Sequence, residues 1–440
     1  MKLTILGGGG FRVPLVYRAL LGDRAEGRVT RVTLHDVDAD RLRAVRGVLA
    51  EQAAGVPDAP VVTATTDLDE ALRGADFVFS AIRVGGLAGR AADERVALAE
   101  GVLGQETVGA GGIAYGLRTV PVAVSIARRV AAVAPDAWVI NFTNPAGLVT
   151  EAMSRVLGDR VIGICDSPVG LGRRVARLLG ADPDEAFFDY VGLNHLGWLR
   201  GVRVAGRDEL PRLLADPGAL GSFEEGKLFG ADWLRSLGAI PNEYLHYYYF
   251  NREAVHAYRD AGLTRGAYLR EQQAGFYGSP SLDTWHATLA EREATYMAAN
   301  REAAGAGERA EEDLEPGGYE QVALALMRAV ARDERTTLIL NVRNRTTLAE
   351  LDPDAVVEVP CFVDANGAHP VSAAPLPRHA AGLVTTVKAV EREVLAAAEG
   401  GSRAAAVKAF ALHPLVDSVS VARRLLDAYV SEHPGLRYLA

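Results

Sequence analysis

The sequence predicts an α/β protein, with an N-terminal Rossmann-like, doubly wound parallel sheet followed by a mixed α+β C-terminal domain. Three observations carry this. Short apolar segments alternate with helical patterns through the first half of the chain. The first apolar segment runs directly into a glycine turn, Gly7-Gly8-Gly9-Gly10. After about residue 200 the alternation gives way to long polar helical stretches. A chain of 440 residues is long for a single core, so two domains are expected, residues 1–195 and 196–440.

Each element has its own signal. Lys2–Leu6 is apolar and ends in glycines, as a buried strand does. Leu15, Val16, Ala19 and Leu20 then share a helical face, and Pro14 falls in the first turn, where a missing N–H is harmless. Residues 31–36 form a second strand that ends in an acid, which completes a βαβ unit. Further strands are expected at 77–82, 138–142 and 161–165, with helices at 121–133 and 171–179. A parallel sheet of this build holds ligands at the carboxyl ends of its strands. Asp36, Arg83, Asn144 and Cys165 all stand at or just beyond such ends. In the second half, residues 281–310 read as a polar helical stretch and 311–318 as a Glu/Gly-rich bend. Residues 303–307 read as surface loop, 356–363 as one or two strands, and the chain from 382 onward as helical.

Composition narrows the function. Hydrophobic residues make up 49% of the chain, the net charge is −9 and the pI is about 5.6. An acidic surface argues against non-specific nucleic-acid binding, which needs phosphate neutralisation. It leaves room for a small anionic substrate met by local arginines. No apolar run is expected to reach bilayer length, and the opening residues are too few for a secretory h-region. Two cysteines, Cys165 and Cys361, cannot staple a chain of this size, so a reduced cytoplasmic setting is expected.

Several segments carry chemistry. A glycine turn between a strand and a helix lets backbone N–H groups approach a pyrophosphate. An acid at the end of the second strand accepts from ribose hydroxyls. Gly7, Gly8, Gly9, Gly10, Phe11 and Asp36 are therefore the expected contacts to NAD, although the third glycine of the fingerprint is absent at Arg12 and Val13. Asn144, before Pro145, either shapes a turn or aims its amide into a crevice. Cys165 and His195 suit a divalent metal or a nucleophile–base pair, or else a buried thiol and a satisfied histidine. Tyr244, Tyr247 and Tyr248 share a face at helical spacing; they serve packing, or one of them is a base beside a cation. Arg83, next to Gly85 and Gly86, suits a phosphate or a solvated loop.

In this order the segments resemble glycoside hydrolase family 4, the NAD- and metal-dependent 6-phospho-glycosidases, over nearly the whole chain. The resemblance rests on the glycine turn, Leu34-His35-Asp36, Ile82-Arg83-Val84-Gly85-Gly86, Gly104-Gln105-Glu106-Thr107, Asn141-Phe142-Thr143-Asn144-Pro145, Cys165-Asp166, Asn194-His195, Tyr244-Leu245 and Val356-Val357-Glu358-Val359-Pro360. It implies that Cys165 and His195 ligate a divalent metal, usually manganese, and that Tyr244 is a catalytic base with its pKa lowered by the nearby cation. Asp166 stands where some members place an acid for the leaving oxygen. Arg83 and Arg265 would hold a sugar phosphate, and Asn144 the substrate. The implied reaction removes hydride from C3, abstracts the C2 proton, eliminates the aglycone, adds water and returns the hydride, with no net oxidation.

The chain departs from the family at Gly10 and Val13, where Ser and Thr are usual, and at Thr346, where Gly is usual. Asp166 is commoner in α-specific members. The segments 82–86 and 244–248 favour the 6-phospho-β-glucosidase branch. A homodimer or homotetramer acting on a phosphorylated sugar, with no nucleic-acid or membrane partner, is the implied setting. A true hydroxy-acid or sugar dehydrogenase and a non-enzymatic NAD sensor are the competing readings.

Overall fold

Apolar strands with both faces covered pair into one sheet that crosses both halves of the chain. The computed structural model describes residues 1–310 and 318–440. Thirteen strands occur among these residues: β1 (Lys2–Leu6), β2 (Arg31–His35), β3 (Val61–Thr65), β4 (Phe77–Ser80), β5 (Trp138–Asn141), β6 (Val161–Gly163), β7 (Phe187–Leu193), β8 (Leu196–Val204), β9 (Arg207–Asp208), β10 (Ile240–Pro241), β11 (Thr336–Arg343), β12 (Val356–Asp364) and β13 (Gly367–Pro370). Their order is β10-β8-β7-β12-β11-β6-β5-β4-β1-β2-β3, with β13 on β12 and β9 on β8.

The stretch from β3 to β6 is parallel throughout. Its order, β3-β2-β1-β4-β5-β6, is the doubly wound one, so the chain reverses direction across the sheet between β1 and β4 and leaves a crevice there. Every residue of β1 and β4 is buried, as expected of central parallel strands. Beyond β6 the sheet becomes antiparallel. β11 joins β6 through Asn341 opposite Gly163, and β12 joins β7 through Glu358 opposite Gly192. The fold class therefore follows the expectation, with the added finding that strands of the second half extend the parallel sheet.

Four expectations are corrected. The helix expected at 121–133 is Gly109–Val133 and runs through Pro121. Its first turns read as loop because they are rich in glycine, and those glycines serve close packing. A Cβ on Gly111 would lie 2.3 Å from the Gln105 carbonyl oxygen, and one on Gly112 would lie 2.4 Å from the Thr107 carbonyl carbon. By length and composition this helix would also span a bilayer, contrary to expectation. Its apolar window is 78% buried, against the helices Ala146–Leu157 and Arg378–Gly400 among others, so its hydrophobicity serves the core.

The stretch 281–310 is two helices, Leu282–Ala294 and Ala298–Ala304, parted where Met297 adopts φ 51°. Residues 303 and 304 close the second helix, so only the following residues are loop. Of the bend expected at 311–318, residues 311–317 lie outside the described residues. The segment 356–363 is one strand, and helices Arg378–Gly400, Arg403–Leu412 and Val419–Glu432 fill most of the end of the chain.

Gly111→Ala places a methyl group against backbone. It is expected to lower the unfolding free energy by about 1–3 kcal/mol, read from urea denaturation; an unchanged midpoint would show that the loop at 104–107 moves aside freely.

Candidate active site

A cavity of about 600 Å³ opens at the carboxyl ends of β1, β4, β5 and β6. The turn after β1 forms one wall. Gly7 adopts φ 80°, and a Cβ there would sit 2.5 Å from the Ala81 carbonyl oxygen, so only glycine fits. Gly7, Gly10 and Phe11 line the cavity, whereas Gly8 packs on Leu34 and His35 at the end of β2. Gly9 N–H donates to Asp36 Oδ2 at 3.0 Å, which brings the expected acid to the turn. Three carbonyls of the turn and the helix start are held from the other half of the chain. Tyr277 Oη donates to Gly9 O at 2.7 Å, Trp285 Nε1 to Phe11 O at 2.8 Å, and Tyr319 Oη to Arg12 O at 2.8 Å. This arrangement suits a dinucleotide pyrophosphate.

The far end of the cavity gathers Cys165, His195 and Tyr244. His195 lies between β7 and β8 with φ 62°, a conformation uncommon outside glycine. Beneath the turn, Asn194 Nδ2 and Asn341 Nδ2 donate to Glu358 Oε1 at 3.1 and 2.8 Å, and burial pushes the Glu358 carboxyl up to about 7. His195 Nε2 is 3.5 Å from Cys165 Sγ. Burial pushes the imidazole down to about 4, against the pull of Asp166 and Glu106, so it is neutral at pH 7. Burial, then Glu358 and Asp166, push the thiol up.

A thiol and a neutral imidazole at this separation fit a divalent ion. Among the described residues no group of three or more His, Cys, Asp or Glu could hold one, so two protein donors leave positions for ligand oxygens. Both cysteines are free, as expected.

Tyr244 lies flat on His195, with ring centroids 3.7 Å apart and planes 3° from parallel. Its hydroxyl is 3.2 Å from that of Tyr296, which donates to Glu243 Oε1 at 2.6 Å. Burial pushes Glu243 up to about 7 against the pull of Arg174. In this setting the Tyr244 hydroxyl is pushed well up, by burial and then by Glu243. The lowering implied by the resemblance would come from a cation at Cys165 and His195, on which Tyr244 lies. The shared tyrosine face is corrected. Tyr244 belongs to the 3-10 turn Glu243–Leu245, so Tyr244 and Tyr247 line the cavity while Tyr248 stacks toward His413.

Ten arginines line the cavity against five acidic residues, in a chain whose net charge is −9. Arg83 pairs with Glu106, which also holds Arg90. Burial alone would raise the Glu106 carboxyl, but the two guanidiniums outweigh it and hold it at about 2. Arg265 donates to Thr295 Oγ1 at 2.7 Å and the Arg292 carbonyl at 2.9 Å, and among the described residues it has no ion pair. Burial and then Arg90 push it down. Arg292 is pushed down to about 10 by burial and then Arg12; its Nε makes no hydrogen bond and meets Glu293 Oε1 only at 3.8 Å. Arg265, with no carboxylate partner of its own, suits an anion. Asn144 lines the same cavity. Asp166 pairs with Arg12 at 3.2 Å, whose guanidinium lies over Tyr319.

Of the expected site residues all but Gly8, Gly9 and Asp36 line this cavity, and those three adjoin it at the glycine turn. Arg12, Arg90, Glu106, Thr107, Glu243, Arg292 and Tyr296 were not anticipated. Glu106 and Thr107 stood in a segment noted for its resemblance, but nothing in the spacing gave them a task. Tyr296 was hidden inside what read as continuous helix.

Comparison with known proteins agrees with this geometry. Residues 2–181 match the family 4 glycosyl hydrolases, and residues 190–416 match the family 4 glycosyl hydrolase C-terminal domain. The chain is 31% identical to a probable 6-phospho-beta-glucosidase of Bacillus subtilis, covering 98% of this chain and 96% of the relative. It is also 31% identical to 6-phospho-alpha-glucosidase 1 of Lacticaseibacillus paracasei, with the same coverage. Among solved structures, the 6-phospho-beta glucosidase of Thermotoga maritima with manganese, NAD+ and glucose-6-phosphate superposes with a TM-score of 0.82 at 26% identity, covering 99% of this chain and 98% of that one. The chain belongs to the family 4 glycosyl hydrolases.

Proposed function

We propose that this protein hydrolyses 6-phospho-β-glucosides by a redox-neutral route, with NAD and a divalent metal, manganese foremost, as cofactors. The observation that carries the reading is Tyr244 stacked on His195, beside Cys165, at the end of a glycine-turn cavity. A simple hydroxy-acid dehydrogenase has no use for a thiol–imidazole pair and a stacked phenol at that place. When bound, NAD supplies reversible hydride acceptance and the metal supplies Lewis acidity at a sugar oxygen.

The chain's own residues do the rest. Gly7–Gly10, Phe11 and Asp36 seat the dinucleotide, and Cys165 and His195 hold the metal. Arg83 and Arg265 hold the 6-phosphate, and Asn144 orients the sugar. Tyr244 accepts the proton from C2, and Asp166, positioned by Arg12, serves the leaving oxygen. Residues 1–195 carry most of the cofactor contacts, and residues 196–440 supply the base, Arg265 and the surfaces for a cytoplasmic homo-oligomer. Relatives carry both α and β names. The β reading rests on segments 82–86 and 244–248.

With NAD, manganese and reductant, the protein is expected to release nitrophenol from a nitrophenyl 6-phospho-β-glucoside with no build-up of NADH. Turnover of the α anomer alone would move it to the α branch. Stoichiometric NADH would make it a dehydrogenase, and silence with both anomers would sink the proposal. Tyr244→Phe is expected to lower kcat by about 10²–10⁴-fold while KM stays near that of the parent, in steady-state assays. Arg265→Ala removes a charge-assisted contact to phosphate and is expected to raise KM by about 10–100-fold.

A further inference from the structure

We infer that Thr107 is a positioning residue for His195: its hydroxyl, oriented by Gln105, fixes the ring with hydrogen on Nδ1 and turns the bare Nε2 toward Cys165. The argument starts at Gln105. Its Oε1 accepts from Thr107 N–H at 2.6 Å and from Val108 N–H at 2.9 Å. Two backbone donors settle which end of the amide faces the loop. The same oxygen is 3.1 Å from Thr107 Oγ1, and a carbonyl oxygen carries no hydrogen, so the hydroxyl proton points to Gln105. Having given its one proton there, Oγ1 meets His195 Nδ1 at 2.7 Å as an acceptor. The hydrogen of the neutral ring is then on Nδ1, and the Nε2 lone pair faces Cys165 Sγ at 3.5 Å.

The device is rigid at both ends. Gln105 and Thr107 are pressed by Gly111 and Gly112 of the helix Gly109–Val133, and the His195 ring is covered on one face by Tyr244. Thr107 and His195 are 88 residues apart in sequence, so the contact is a product of the tertiary fold. Its consequence for metal binding rests on the reading of Cys165 and His195 given above. Partners of a ligating histidine's second nitrogen set both ring orientation and basicity.

The test has two readouts. In chelator-treated protein labelled with 15N-histidine, with the His195 signal assigned by its loss in His195→Gln, hydrogen on Nδ1 is expected, and a mixed or reversed tautomer in Thr107→Val. In NAD-loaded protein, manganese titration followed by electron paramagnetic resonance is expected to show affinity about 10–100-fold weaker in Thr107→Val and within about threefold of the parent in Thr107→Ser. Thr107→Ala replaces the valine variant if that one does not fold. Hydrogen on Nε2 in the parent overturns the inference, as does parental affinity in Thr107→Val or equal loss in both variants. A parent that binds no manganese refutes the metal reading instead, and the nitrogen spectrum still decides the tautomer.

Discussion

The contact between the first turns of the helix Gly109–Val133 and the loop before it positions much of the site. Two backbones meet there with no room for a side chain at Gly111 or Gly112. The loop so fixed sends three consecutive side chains to three tasks. Gln105 ties the loop to itself, Glu106 joins Arg83 to Arg90, and Thr107 reaches His195. Side chains on a mobile loop would pay more entropy to hold these places. Here the cost falls on the backbone, where glycine bears it, and the polar groups arrive already oriented.

Charge is distributed against the average. The chain is acidic overall, yet its cavity is lined by twice as many arginines as acids. Exposed charges fade over about 8 Å at physiological ionic strength, so the outer surface does little to offset the interior. Inside, the arginines divide into two kinds. Arg83 and Arg90 share Glu106 and are settled without a ligand. Arg265 and Arg292 are half-buried near other cations, Arg292 reaching a carboxylate only at 3.8 Å, and both are pushed down from their ordinary values. An anion in that region would relieve their repulsion, whereas Arg83 and Arg90 are already held in place by Glu106.

Much of this fold was legible because its signals are local. Strands β1, β2, β4, β5 and β6 announce themselves as apolar runs near turn residues, and Gly7 and Asp36 stand where a βαβ unit places them. What escaped reading depends on distant partners. The glycines of 109–112 look like loop until the backbone they press against is known. Met297 breaks a helix that its composition would continue, and that break sets Tyr296 beside Tyr244. Arg12 counts as a missing glycine in the fingerprint, but in the fold it pairs with Asp166, 154 residues away. The site residues themselves were found through ordered resemblance. Neither Cys165 nor His195 is marked by spacing alone.

The carbonyls of the glycine turn carry a consequence for the chain as a whole. Three of them, at Gly9, Phe11 and Arg12, are gripped by Tyr277, Trp285 and Tyr319 from the second half. The N-terminal parallel unit is therefore not a portable module. Its glycine turn is held by aromatic residues more than two hundred and fifty positions downstream. Linkage is reciprocal: whatever tightens that loop also tightens the helices holding it. A foreign second half would support this turn only if it brought equivalents of these three donors.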